Sequence, residues 1–181
     1  MDSLRGQLLI ATPVLEDPNF RRTVVLVAEH GAEGAMGIVL NRPSEAPVSD
    51  AAPELEAFVD DGAAVHEGGP VQPTAVVVLA EFVEPGPETV LVIDAVGFLP
   101  AGADLDDLLA NTIRARVFAG YAGWGPGQLE GEIDREDWIL GDAVAAEVFT
   151  EAPGRLWSVA LERKGGTYAL LARMPEDPSL N

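Results

Sequence analysis

The sequence predicts an α+β fold: a bulged, mixed but largely antiparallel sheet packed with several helices, in one unit or as two fused lobes divided near residue 45 or 100. Two observations carry this. Short β-branched or continuously apolar runs, bounded by Gly, Pro, Asp and Asn, fill the first hundred residues. Apolar residues at helical spacing become evident only afterwards. The 181 residues, 48% of them apolar, suffice for a real core without staples. One domain over 1–181 is expected, with a polar, Pro-broken tail at 175–181 that is loosely held.

Gln7–Thr12 is a short apolar strand closed by Pro13, and Glu16-Asp17-Pro18-Asn19 is a turn. Thr23–Ala28 is continuously apolar and β-branched, the pattern of a strand covered on both faces. A loop over His30–Ala35 joins it to a strand over Met36–Leu40, as a hairpin. Val76–Leu79 and Val90–Ile93 form a second expected pair around Glu84-Pro85-Gly86-Pro87, which continues neither strand. A short helix is expected over Ala51–Val59. Asp104 caps another, whose Leu105, Leu108 and Leu109 share one face. Ile113–Ala119 alternates as a strand, with Ile113, Ala115 and Val117 opposite Arg114, Arg116 and Phe118. Pro126 suits the first position of a helix to about Ile133. Asp142 caps one through Phe149, and the last runs over Leu156–Arg163.

Eleven basic residues stand against 30 acidic ones, a net charge of −19. Between Arg42 and Arg114 there is no Lys or Arg across 71 residues that hold 14 acids. Such a chain lacks the cations for phosphate contacts along nucleic acid or for docking on anionic membranes. The absence of cysteine excludes disulfides, thiolate nucleophiles and iron–sulfur clusters. The N-terminus is a poor secretory signal and no apolar run approaches a membrane span, so a cytoplasmic protein is expected.

No local motif names a reaction. The serines, Ser3, Ser44, Ser49, Ser158 and Ser179, stand outside any G-x-S-x-G elbow. His30 and His66 are 36 residues apart, which offers no metal-ligand spacing, and no cofactor is implied. Adjacent carboxylates such as Glu130 with Glu132 are expected by chance among so many acids. The Gly-rich segments say more. Glu67-Gly68-Gly69-Pro70-Val71 permits backbone geometries closed to other residues. Gly120-Tyr121-Ala122-Gly123-Trp124-Gly125-Pro126-Gly127-Gln128-Leu129-Glu130 leaves a strand and opens a helix, either as a structural turn packed by Tyr121 and Trp124 or as a binding surface. It matches neither the P-loop nor the dinucleotide fingerprint.

At these residues the chain resembles the AlgH/YqgE family of bacterial proteins. The matching stretches are GQLLIATP (6–13), FRRTVVLVAEH (20–30), GAMGIVLNRP (34–43), EGGPV (67–71), FAGYAGWGPGQLEGEI (118–133), Asp137-Trp138 and Leu156-Trp157. The resemblance implies a compact α+β protein with a bulged, partly antiparallel sheet. The family's name implies a link to transcriptional control of alginate production; its molecular function is largely uncharacterised, and no catalytic residues carry over. By position, its motifs fall on Asn41, Arg42 and Pro43, on Gly68, Gly69 and Pro70, and on Gly120 through Glu132.

The leading reading is a non-catalytic binding module with an indirect regulatory role, its partner a small molecule or another protein. Its site is expected at three strand ends, the Asn41-Arg42 turn, the Gly68-Gly69 loop and the Tyr121–Gln128 turn, with Pro70 and Glu130 in the set. Arg42 is the cationic anchor, Tyr121 and Trp124 are apolar walls, Asn41 and Gln128 select by hydrogen bonding, and Glu130 closes the set. The alternative is a small hydrolase using His66 with Glu67, Glu130 or a serine. Direct DNA binding is the least favoured.

Overall fold

The computed structural model describes residues 2–176. Among these, ten strands form one sheet. Strand β1 (Gln7–Ala11) lies antiparallel between β2 (Val24–Gly31) and β10 (Trp138–Asp142). Because β1 from Leu8 onward and the first half of β2 are apolar at every position, each feeds two cores. Leu8, Ile10, Val24 and Leu26 enter the main core; Leu9, Ala11, Val25 and Val27 enter a second on the opposite face. Helix α5 (Leu156–Lys164) covers the main core with Leu156, Trp157, Ala160 and Leu161. Helix α3 (Gln128–Asp134) covers the second through Leu129. Each such side chain contributes about 1.5–3 kcal/mol by leaving water, and a one-residue slip would exchange the two faces.

Beyond β2 the sheet continues through β3 (Gly34–Val39), β9 (Thr112–Trp124), β6 (Val71–Phe82), β8 (Val96–Phe98) and β7 (Leu91–Ile93). A side branch pairs β4 (Pro43–Pro47) with β5 (Ala64–Glu67), and β5 runs parallel to β9. Every other pair is antiparallel, and several carry register shifts. The architecture is thus the mixed, bulged, largely antiparallel sheet expected. Since β9 pairs with both β3 and β6, no boundary in the pairing falls at residue 45 or 100.

One exchange of partners positions the site. His66 and Glu67 of β5 pair with Phe118 and Ala119, whereas Ala122–Trp124 pair with β3. Gly68 fills the gap: its N–H donates to Ala119 O and its carbonyl accepts from Val39 N–H, each at 2.8 Å. The two chains pass so closely that a Cβ on Gly69, at φ +150°, would stand 2.2 Å from the Tyr121 carbonyl carbon. Gly120, at φ +75°, meets Gly69 O in the same way at 2.4 Å. Only glycine fits either position.

Several expected elements are corrected. The first hairpin loop is only Ala32-Glu33, because Gly31 pairs with Gly34. The Val76–Leu79 and Val90–Ile93 runs are not neighbours; β8 lies between them, reached by a tight turn with Asp94 at φ +44°. The helix over Ala51–Val59 is split at Ala52 into α1 (Val48–Ala51) and a 3₁₀ segment, Pro53–Phe58, since Pro53 has no N–H to continue the first. Pro126 lies ahead of α3, which starts at Gln128. Asp142 ends β10 and caps no helix; the helical turn that follows, α4 (Ala145–Val148), begins after Val144. Asp104 does cap α2 (Leu105–Ala110), accepting from Asp106 and Asp107 N–H at 2.9 and 3.2 Å. Pro175 and Glu176 are met by arginine side chains, and 177–181 lie outside the described residues.

Candidate functional site

Asn41, just beyond β3, has both amide atoms engaged. Its Oδ1 accepts from Val24 N–H at 3.0 Å and its Nδ2 donates to Arg22 O at 2.8 Å. It ties the loop before β2 to the sheet, and that loop is what Arg42 grips next. Nη1 of Arg42 donates to Pro18 O at 2.7 Å and Nη2 to Arg21 O at 2.9 Å. Burial pulls this guanidinium below the ordinary arginine range, while Glu67 and Asp17 pull it back up.

Arg42 forms one wall of a cleft of about 430 Å³ whose other walls include Ser44, His66, Glu67, Gly69 and Pro70. The volume lies within the range of small-molecule sites. His66 is 6% exposed, its ring 5.7 Å from that of Phe118. Its Nδ1 lies 3.3 Å from Ala64 O, and its Nε2 has no hydrogen-bond partner. Burial first, and the Arg116 charge second, push the imidazole down to about 4, against an upward pull from the Ala64 carbonyl. The ring is therefore neutral at pH 7. With Nδ1–H donated to Ala64, Nε2 offers a bare acceptor. His66 also borders a second cavity of about 260 Å³ on the side of Asp60 and Arg116.

The remaining expected residues gather elsewhere. Trp124 is 6% exposed, stacked on Phe20 at 6.1 Å and edge-on to Trp138 at 6.2 Å. The indole N–H groups of Trp124 and Trp138 both donate to Oε2 of Glu132, each at 2.8 Å. Gln128 donates from Nε2 to the other oxygen of Glu132 at 3.1 Å, and its Oε1 accepts from Gly125 N–H at 3.0 Å. Glu130 meets His30: Leu4 N–H donates to Nδ1 at 3.0 Å, so Nε2 carries the proton that reaches Glu130 Oε1 at 3.0 Å. A hydrogen bond from its own backbone, with His30 behind it, holds the Glu130 carboxyl below the usual range. Tyr121 packs against the main core. The structure thus brings Arg42, Gly69 and Pro70 together with His66 on one cleft. It sets Trp124, Gln128 and Glu130 in a separate cluster around α3.

The sequence profile of AlgH-like proteins matches residues 8–169. The chain belongs to the AlgH-like family. A UPF0301 protein of Streptomyces coelicolor is 40% identical over 190 residues, which cover 100% of this chain and 97% of its own. One from Thermobifida fusca is 44% identical over 191 residues, 99% and 96% of the two chains. The crystal structure of a Corynebacterium diphtheriae protein superimposes with a TM-score of 0.86 at 26% identity, over 93% of this chain and 91% of that one. The solution structure of AlgH from Pseudomonas aeruginosa gives 0.73 at 30% identity, over 97% and 96%.

In this AlgH-like chain, among the described residues, the His66 side chain makes no hydrogen bond to Glu67, Glu130 or a serine. Glu130 is committed to His30, and the hydroxyl of Ser44 donates to Val65 O at 2.6 Å. Ala64 O is the only hydrogen-bond partner of the His66 side chain among the described residues. No group of three or more His, Cys, Asp or Glu among them is placed to hold a metal ion. No helix among them is long and apolar enough to cross a membrane. Two groups of functional interest escaped the sequence reading. Glu132 passed for one carboxylate of a chance pair, although two tryptophans within eight residues of it were the signal. Arg21 and Arg22 were quoted without a role, although doubled arginine is conspicuous in a chain with 11 cations.

Proposed function

We propose that this protein is a non-catalytic small-molecule-binding module of the cytoplasm, with the cleft beside β4 and β5 as its site. One observation carries the reading: a buried imidazole nitrogen, Nε2 of His66, stands without a partner in a residue that lines the cleft. Leaving a buried acceptor unmet costs about 1–3 kcal/mol, and a ligand N–H or O–H would remove that cost. The Arg42 guanidinium supplies a second anchor. A non-catalytic role is supported by the chemistry of the walls. A neutral imidazole with no carboxylate to orient it, and a pKa near 4, is a poor general base at pH 7. Any effect on transcription then passes through the ligand or another protein, since a net charge of −19 works against operator contact.

The test is a thermal-shift screen against metabolites with the native chain and Ala51→Leu. Ala51 is an exposed residue of α1 that lines the cleft, so leucine fills the space without entering the core. A ligand at 100 times its Kd adds about 2.7 kcal/mol, a rise of several degrees. The expected result is a shift that Ala51→Leu abolishes. A shift retained in full by that variant, or none with any metabolite, contradicts the reading.

A further inference from the structure

Three of the chain's ten arginines converge on one place. Arg21, Arg22 and Arg42 line an open cavity of about 550 Å³ together with Pro18 and Glu176. Arg22 and Arg42 continue into a recess of about 200 Å³ beside Trp157, and Arg42 is also a wall of the His66 cleft. In so acidic a protein, cations are expected to sit against carboxylates. Here they do not: the ion pairs found among the described residues all involve other cations. The three guanidinium groups donate to main-chain carbonyls. Arg42 takes Pro18 and Arg21. Arg22 takes Met174 O at 2.9 Å and Pro175 O at 3.1 Å, and Arg21 takes Glu176 O. A carbonyl satisfies a donor but carries no net charge; among the described residues, the charges of Arg22 and Arg42 are met at longer range by Glu176, Glu67 and Asp17.

The backbone is bent to build this cluster. Arg22 is left-handed, at φ +54°, a conformation unfavourable for a residue with a Cβ. Asn41 holds its carbonyl, and the guanidinium lies 4.0 Å over the Trp157 ring. The strained turn thus aims Arg22 into the recess that Arg42 shares. Guanidinium forks match the oxygens of a phosphate group in both charge and geometry.

We propose that Arg21, Arg22 and Arg42 bind the phosphate group of a small-molecule ligand, and that Met174–Glu176, which occupies the Arg21 and Arg22 donors in the free protein, is displaced by it. This deepens the binding-module reading and rests on it: Arg42 is common to both cavities, so the rest of the ligand extends along the His66 cleft.

The probe is inorganic pyrophosphate, titrated at constant ionic strength into the full chain carrying ¹³C-methyl methionine. Met174 lines a small recess with Trp157, whereas Met36 packs against the main core and serves as the internal reference. The expected result is a saturable displacement of the Met174 methyl signal while Met36 stays still. Arg22→Asn, which keeps a residue tolerant of the left-handed backbone, weakens binding at least tenfold; its unmoved Met36 signal reports that it is folded. The cleft is tested separately by the metabolite screen with Ala51→Leu, so loss of the cleft reading and loss of the phosphate site are told apart. No saturable change, or the same change with sodium chloride, overturns the proposal. So does full affinity in Arg22→Asn. Binding with an unmoved Met174 overturns the displacement.

Discussion

Two polar clusters lie on either side of the partner exchange along β9 at Gly120, and they differ in one respect. Around α3, hydrogen bonding is closed: two indoles and Gln128 donate to Glu132, and His30 accepts from Leu4 N–H and donates to Glu130. Around β5 it is open: His66 keeps a bare nitrogen, and Arg42 faces a cavity. Both clusters draw on the segments that carry the family resemblance. The lesson is that a conspicuous motif can be spent entirely on architecture. What distinguishes the proposed site is unmet bonding capacity, and that becomes visible only once partners are counted.

The comparison can be broken most severely where the two clusters meet. Gly69→Ala places a Cβ 2.2 Å from the Tyr121 backbone; it should cost more than about 3 kcal/mol, enough to prevent folding, as urea unfolding or loss of soluble protein will show. Removing the hub of the closed cluster with Glu132→Ala strands two indole N–H groups, at about 2–5 kcal/mol in total. Glu132→Gln keeps one acceptor oxygen and should recover roughly half of that.

In the open cluster the signature is a pH dependence. The His66 imidazole lies at about 4 in the folded protein and near 6.5 when unfolded. Between these values the unfolded chain holds the extra proton, so stability falls as pH drops from about 6.5 to about 4 and levels off below. The expected loss is about 3 kcal/mol, seen as the difference between the native chain and His66→Leu in urea unfolding across that window. A parallel pair of pH profiles would remove His66 from the account. The smallest effect belongs to Ala51→Leu, whose stability should stay within about 0.5 kcal/mol of the native chain.

The sheet was legible where pattern and burial agree. Thr23–Ala28, apolar throughout, is buried on both faces as read, and Val117 and Phe118 do point into different cores. The strands that escaped had signals of the wrong kind. β4 is bounded by Pro43 and Pro47, which argue against a strand, and it survives only as a side branch. β10 is five residues long and is recruited by β1 from across the chain, a partner that local pattern does not name. Of the expected site residues, Arg42, Gly69 and Pro70 share one cleft; the sequence marked Arg42 as the last cation before a 71-residue gap and Gly68-Gly69 as a loop of unusual backbone freedom. Trp124 was not legible, since an aromatic in a Gly-rich turn reads equally as wall or as core; the hydrogen bond to Glu132 decides for core.

The chain holds only two histidines, one in each cluster, so their ring nitrogens test the contrast directly. Long-range ¹H–¹⁵N spectra of the imidazoles, recorded at pH 7 with and without the ligand that raises the melting temperature, would resolve both. The account predicts opposite tautomers in the free protein, Nε2–H at His30 and Nδ1–H at His66, and a ligand-induced shift of His66 Nε2 alone. A His66 nitrogen that stays still at saturation would contradict it and place the ligand elsewhere.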